Sequence, residues 1–332
     1  MASAPFNDSG ENQLAVEVPH PVGRLAPSPT GAQHVGNART YLIAWLSIRL
    51  RGGKIILRIE DIDSPRVKPG ASELICEDLR WLGLDWDEGP IVQRQRISHY
   101  EDALCRLRAQ ELVYPCTCTR SDVERAASAP HLEHAGPKYP GTCAGRRAAD
   151  APALTEYPFA WRFRASGRAC EFIDGFRGQV QVDWRETDGD FVVWKSAGTP
   201  AYQLAVVVDD AAMGITEVLR GDDLIPSTPR QLLLYESLGL RAPQFTHVPL
   251  VVGPDGRRLA KRHGDTRLAS LRAAGVTPEA LIGLLAWSCG WLDRFEPITA
   301  RELLPLFSLK AIPQTPFVLQ AALLQKIGYR PD

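Results

Sequence analysis

Apolar positions in the first eighty residues alternate between two periods. Val22 to Ala26 is a short apolar run of strand type. Pro27, Pro29 and Gly31 then interrupt regular structure, and Ala38, Tyr41, Leu42, Trp45 and Leu46 recur at the spacing of one helix face. Lys54 to Ile59 is again strand-like and ends in Glu60, Asp61 and Asp63. An amphipathic helix over 72–81 follows, with Ser72 as its N-cap. Strand, helix, strand, helix predicts a parallel sheet with crossover connections. Such sheets take ligands beyond the C-terminal strand ends, which is where Arg24 and Glu60 fall.

Further along, a helix over about 98–110 leads into Tyr114–Cys118. Residues 126–153, rich in Ala, Pro, Gly and His, read as loop, and Phe159 to Phe163 and Val180 to Trp184 alternate like half-buried strands. This stretch reads as an insertion into the sheet domain. Pro200 to Val208 is a continuous apolar run, expected to be a strand buried on both faces and closed by Asp209 and Asp210. Thr216 to Leu219 is the next strand, closing at Arg220, and 227–238 is a helix with Pro229 in its first turn. Phe245 to Val252 is the last strand, a turn at 253–256 follows, and the basic loop 257–264 comes next. From Ala269 onward the pattern is helical, through Leu281, Leu284, Leu285, Leu303 and Leu304.

Composition narrows the class. A chain of 332 residues with 45% hydrophobic residues forms a core easily and exceeds one typical domain. The 38 Lys and Arg nearly cancel the 39 Asp and Glu, so a polyanionic partner must be met by a local patch. No apolar run reaches the roughly 18 residues of a membrane span. Residues 1–19 lack the charged start and apolar stretch of a signal peptide, read as a disordered tail, and point to the cytoplasm. Of seven cysteines, Cys116, Cys118 and Cys143 cluster, while Cys76, Cys105, Cys170 and Cys289 sit in apolar surroundings. That pattern is not a disulfide framework, so reduced thiols are expected.

Three clusters carry candidate chemistry. In 24–39 a helix N-terminus with unpaired N–H groups follows Gly31 and Gly36, and the His34 imidazole can donate to a charged oxygen; a purely steric Pro-Gly turn is the competing reading. Glu60 has its own bland reading as a surface residue at a strand end. In the basic loop, Lys261 can reach triphosphate oxygens and stabilise charge on a leaving pyrophosphate; the alternative is a solvated basic loop. Cys116, Cys118 and Cys143, with Tyr139, His131 and His134 nearby, suit tetrahedral Zn²⁺ in a structural site. Composition alone favours a histidine as fourth ligand, and three ordinary thiols is the other reading. Arg162, Arg164, Arg168 and Arg177 form either a solvated face or a phosphate-contacting surface.

These residues resemble a known family. His34-Val-Gly-Asn37 is similar to the HIGH motif of class I aminoacyl-tRNA synthetases, and Arg258-Leu-Ala-Lys-Arg262 resembles a degenerate KMSKS loop. Arg24 to Gly31, Arg58 to Asp63 and Val208 to Arg220 are similar to glutamyl-tRNA synthetases, with the likeness running over about 22–275. Too few residues follow Arg262 for the helical anticodon-binding region of those enzymes. The resemblance is therefore to their truncated paralogues, which act on queuosine in tRNA(Asp).

That resemblance implies an α/β, Rossmann-like catalytic domain in two halves, 20–115 and 200–265, with a parallel sheet. It also implies an inserted α+β zinc subdomain at 116–199 and a small helical C-terminal domain at 266–332. The implied activity is that of an ATP-dependent ligase, which converts glutamate to glutamyl-adenylate without tRNA. The acyl group then passes to the cyclopentenediol of queuosine at the wobble position. Arg24, Ala26, Ser28, Glu60, Tyr202 and Arg220 would hold glutamate, since an arginine fork suits a carboxylate and Glu60 an ammonium. His34, Gly36, Asn37 and Lys261 would hold ATP and its Mg²⁺, with His34 and Lys261 catalytic. Cys116, Cys118, Tyr139 and Cys143 match the spacing of the paralogues' zinc site, which implies Tyr139 as fourth ligand in place of a histidine. The expected partners are ATP, L-glutamate and queuosine-modified tRNA(Asp), with no membrane and a monomeric state. Arg258 and Ala260 depart from KMSKS and raise the burden on Lys261. Val206, apolar where tRNA-dependent relatives carry a polar residue, fits activation without tRNA. Competing readings are a shortened glutamyl-tRNA synthetase charging a 3′ end, a small-metabolite nucleotidyltransferase and a catalytically silent tRNA-binding protein.

Overall fold

Residues 20–62, 67–126, 139–154, 157–165, 170–182, 189–259 and 265–330 are described by a computed structural model of the chain. The expectations for the 1–19 tail, Asp63, His131, His134, Arg168, 183–184, Ala260, Lys261 and Arg262 lie outside the described residues.

The chain opens with β1 (Val22–Leu25), α1 (Val35–Arg49), β2 (Lys54–Ile59), α2 (Ala71–Trp81) and β3 (Glu88–Val92). All three strands are parallel, with β2 central and in register with β1 from Val22↔Lys54 to Leu25↔Leu57. Ser72 is not the cap of α2. Gly70 takes that position in the left-handed region at φ 74, which a residue with a side chain rarely adopts, and the helix starts at Ala71. After α3 (Ile97–Ala109) come β4 (Val113–Cys116), α4 (Arg120–Ala126), β5 (Ala160–Phe163), β6 (Cys170–Asp174), β7 (Gly178–Val182) and β8 (Phe191–Trp194). Strands β4, β5 and β8 form an antiparallel sheet, and β6 and β7 form a separate hairpin.

Pro200 to Val208 is not a strand. It enters α5 (Tyr202–Ala212), whose residues Leu204 to Asp210 are all buried. A helix enclosed on every side shows the same unbroken apolar run as a two-faced strand, so periodicity cannot separate them. The chain continues through β9 (Glu217–Gly221), α6 (Ser227–Ser237), β10 (Gln244–Val248) and β11 (Val251–Val252). The expected strand over 245–252 is thus divided at Pro249, which has no N–H to give a ladder and whose carbonyl instead accepts from Arg39 Nη1 at 2.7 Å. Strands β9 and β10 are parallel, and Thr216 N to Val22 O (2.9 Å) sets β9 beside β1. The parallel strands therefore lie in the spatial order β3, β2, β1, β9, β10, and the direction of chain progress reverses between β1 and β9. That reversal is where open α/β sheets bind ligands.

The remaining elements are α7 (Leu268–Ala273), α8 (Pro278–Ser288), β12 (Phe317–Val318) and α9 (Ala321–Lys326). Helical pattern is realised in α7 and α8, whereas Leu304 lies in a short 3₁₀ turn. Strand β12 pairs with β11, and Leu281, Leu285, Leu303 and Ile312 share one core with Leu42, Trp45, Ile55 and Leu57 of the first unit. On the opposite face of β2, Ile56 packs in a second core with Leu204 to Val208 of α5. Alternation along β2 thus divides the interior into two layers. Arg39, buried in α1, donates from Nε to Ser288 Oγ (3.0 Å) at the C-terminal end of α8, where the helix carbonyls favour a cation. Among the described residues no helix is long and apolar enough to cross a membrane.

Helix α8 fits only because Gly283 has no side chain, since a Cβ there would lie 2.0 Å from the Glu296 carbonyl oxygen. Gly283→Ala gains about 1 kcal/mol of helix propensity but forces backbone apart, and the net expectation is destabilisation of about 1–3 kcal/mol. Urea denaturation checks the sign; a stabilised variant would contradict this packing.

Candidate active site

A cavity of about 690 Å³ opens beyond the C-terminal ends of β1, β2 and β9. Arg24, Ala26, Ser28, Glu60, Tyr202 and Arg220 all line it, from β1 and the loop after it, the end of β2, α5 and β9. His34, Gly36 and Asn37 line the same cavity from the start of α1. Arg258 reaches it from the basic loop and is ion-paired with Asp223.

The start of α1 is built by a reciprocal cap. His34 Nδ1 accepts from Gly36 N (3.1 Å), and Asn37 Oδ1 accepts from His34 N (3.1 Å). A neutral imidazole that accepts at Nδ1 carries its proton on Nε2, which becomes the donor on the cavity side. Burial, and the charge of Arg258, hold His34 below its usual pKa and favour that neutral form. A Cβ on Gly36 would sit 3.0 Å from the imidazole and crowd the cap. Asn37, read from the sequence as a phosphate contact, spends its Oδ1 on the cap and keeps its amide N–H groups as donors.

The floor of the cavity is ionic. Arg58 is fully buried and donates from Nη1 to Asp210 Oδ1 (2.6 Å) and from Nη2 to Glu60 Oε1 (3.0 Å). Asp209, equally buried, accepts from Gln93 Nε2 (2.8 Å), Arg96 Nε (2.7 Å) and Tyr100 Oη (2.8 Å). Arg24 donates to Leu219 O at 3.2 Å, but its Nε is buried without a hydrogen-bond acceptor, and Asp210 is 3.8 Å away. Burial pushes the Glu60 carboxyl up, against the opposing pull of Arg58 and Arg24, so an incoming cation would favour its ionised form. Tyr41, which the sequence pattern puts on the core face of α1, also lines the cavity and donates to Gln33 Oε1 at 2.8 Å. Arg58 escaped the reading from sequence as well, although a charged residue inside an apolar strand was its signal.

The three clustered thiols meet. Cys116, Cys118 and Cys143 sulfurs lie within 4.8 Å of one another. Tyr139 Oη is 3.4 Å from Cys116 Sγ and 3.8 Å from Cys118 Sγ, and it accepts from Cys143 N at 2.8 Å. Arg162 donates to Cys116 Sγ at 3.2 Å and lies over the Tyr139 ring, a cation suited to offsetting thiolate charge. Arg164 lies over the Tyr114 ring and donates to Ala144 O at 2.6 Å. Arg177 donates to Asp222 Oδ2 at 2.6 Å. Arg162, Arg164 and Arg177 thus each donate to acceptors within the chain.

Fold and cavity together define an α/β nucleotide-type site at a strand-order reversal with a capped histidine at its mouth. The profile described as tRNA synthetases class I (E and Q), catalytic domain, matches residues 22–309, and the chain belongs to that family. A curated protein of Symbiobacterium thermophilum named Glutamyl-Q tRNA(Asp) synthetase is 50% identical over 313 residues, 90% of this chain and 96% of that protein. One of the same name from Rhodopirellula baltica is 54% identical over 280 residues, 81% of this chain and 85% of its own length. Among solved structures, a glutamate tRNA ligase from Elizabethkingia meningosepticum in complex with its amino acid aligns with a TM-score of 0.79 at 28% identity. The alignment covers 93% of this chain but 69% of that one.

Arg58→Ala would leave Glu60 and Asp210 buried without their cation, and the expected cost is about 3–5 kcal/mol. The shift in denaturant midpoint measures it. A loss below about 1 kcal/mol would mean the two acids are neutralised by other means.

Proposed function

We propose that the chain activates L-glutamate with ATP and transfers the glutamyl group to the cyclopentenediol of queuosine at the wobble position of tRNA(Asp). The observation that carries the substrate half is the charge pattern of one cavity. Arg24 and Arg220 face it as cations and Glu60 as its acid, against a ligand with two carboxylates and one ammonium. Ala26, Ser28 and Tyr202 complete that pocket. His34, Gly36 and Asn37 would receive ATP, with Nε2–H of His34 and the α1 N-terminus directed to phosphate oxygens and Lys261 acting on the leaving pyrophosphate with Mg²⁺. The acceptor half is supported by the names of relatives that match over nearly their whole length.

In the first step a glutamate carboxylate oxygen attacks the α-phosphorus and pyrophosphate leaves. In the second a ring hydroxyl of queuosine attacks the acyl carbon and AMP leaves. Activation without tRNA is part of this reading. Val206, buried four residues from Tyr202 on α5, puts an apolar side chain one helical turn from the cavity. In the insertion, Cys116, Cys118, Cys143 and Tyr139 would hold a structural zinc, whose contribution is to clip a segment with a small core of its own.

Glutamate-dependent ATP–pyrophosphate exchange is expected with no tRNA added, and Lys261→Ala is expected to lower it on the order of 10²–10³-fold. Labelled glutamate should appear as an alkaline-labile adduct on tRNA from cells that make queuosine and not on tRNA from cells that lack it. Labelling indifferent to queuosine would instead identify a charging enzyme for a 3′ end. For the metal, elemental analysis is expected to find a single zinc per chain, and chelation to lower the melting temperature; Cys143→Ser should abolish both the zinc and the chelator's effect.

A further inference from the structure

Arg220 reaches the cavity from β9, and among the described residues no carboxylate lies in hydrogen-bond range of its guanidinium, whose hydrogen bonds go to neutral groups. Its Nε donates to His247 Nε2 (3.0 Å), Nη2 to Thr228 Oγ1 (2.9 Å) and Nη1 to Tyr202 Oη (3.4 Å). Three of the five guanidinium N–H groups are thereby occupied and two remain for a ligand. A guanidinium is only a donor, so His247 Nε2 must be an acceptor and the ring proton must sit on Nδ1. Nδ1 is 2.6 Å from Asp174 Oδ2. Asp174 Oδ1 in turn accepts from the backbone N–H groups of Arg177 (2.8 Å), Phe176 (3.0 Å) and His247 (3.2 Å). Asp174, Thr228 and His247 are all buried, so none of them serves solubility.

Asp174 belongs to the insertion, at the turn of the β6–β7 hairpin, whereas His247 lies on β10 of the sheet. The hairpin reaches β10 by a close approach. Gly175 N donates to Phe245 O (2.8 Å), and a Cβ on Gly175 would stand 2.3 Å from Thr246 Oγ1.

We infer that Asp174 and His247 are positioning residues for substrate carboxylate recognition: Asp174 fixes the His247 tautomer, and the bare Nε2 aims the Arg220 guanidinium into the cavity. This rests on the reading of Arg220 as a glutamate contact. By this route the docked hairpin of the insertion sets the amino-acid site without touching the ligand. Asp174→Asn separates the role from mere packing. Its Oδ1 can still accept the three backbone N–H groups, while its NH₂ faces Nδ1 and drives the proton to Nε2, against the Arg220 N–H.

The test combines kinetics with nitrogen NMR on the full chain. In glutamate-dependent pyrophosphate exchange, Asp174→Asn and His247→Leu are expected to raise KM for glutamate roughly 10–100-fold and to leave KM for ATP unchanged. His247→Gln, whose amide can accept from Arg220 and donate to Asp174, should restore KM toward the wild type. Histidine side-chain ¹⁵N spectra should show the His247 proton on Nδ1 in the wild type and on Nε2 in Asp174→Asn. An unchanged KM for glutamate in a folded Asp174→Asn with the reversed tautomer would overturn the inference, as would a wild-type ring protonated at Nε2. The spectrum needs no substrate: wild-type protein with the Nδ1 tautomer but no glutamate-dependent exchange would overturn the glutamate reading, and with it the assignment of this relay to glutamate.

Discussion

A guanidinium removed from water has to be neutralised where it stands, because transfer of an unpaired charge to the interior costs far more than one interaction can return. Arg58 is in that position on β2, fully buried and on the face turned toward α5. Its partners come from two places far apart in the chain: Glu60 at the end of its own strand, and Asp209 and Asp210 on α5, beyond the insertion. Asp209 is also held by Gln93, Arg96 and Tyr100, which brings in the start of α3. Strand β2 and helix α5 are thus locked at one separation by charge, on top of the apolar contact between Ile56 and α5.

The same network explains why the cavity has the polarity it has. Arg58 uses the near oxygen of Asp210 at 2.6 Å, so Arg24, 3.8 Å from that oxygen, is left with an unpaired Nε. Arg220 has neutral partners, and burial together with the like charge of Arg24 lowers its pKa. Two under-neutralised cations therefore face the cavity beside an acid whose carboxyl burial pushes up. A ligand bearing two anionic groups and one cation would relieve all three at once. In physical terms that is a stronger specification than any single contact.

Much of this was legible in the sequence. Arg24, His34 and Glu60 could be found because turn-forming and charged residues cluster at strand ends, Ser28 and Arg220 entered through the family resemblance, and the structure gathers all five around one cavity. Helix α5 was misread because its apolar run is enclosed on every side, and Asp209 and Asp210, taken as a strand terminus, are its buried polar end. Arg58 shows locally only as a charge inside an apolar strand, and His247 has no local signature. What makes them matter is an ion pair across 152 positions in one case and a carboxylate 73 positions away in the other. Pattern and period report the element a residue occupies; they do not report which element packs on it.

The segment between β4 and α5 shows how far such non-local dependence goes. Cys116 and Arg162 lie on its strands β4 and β5 and Cys118 and Cys143 in its loops, while the β6–β7 hairpin turn wedges against three other segments. Asp174 meets β10, Arg177 Nη2 meets Asp222 just past β9, and Arg177 Nη1 meets Gln314 O at 2.9 Å in the C-terminal stretch. Asp222 is two residues from Arg220 and adjacent to Asp223, the partner of Arg258. The turn that follows Arg220 is therefore held on one side by Arg177 of the hairpin and on the other by Arg258 of the basic loop. A segment that looks appended in sequence is, by its contacts, part of the wall behind Arg220, and any motion of it must either break those charge-assisted contacts or carry β9 and β10 with it.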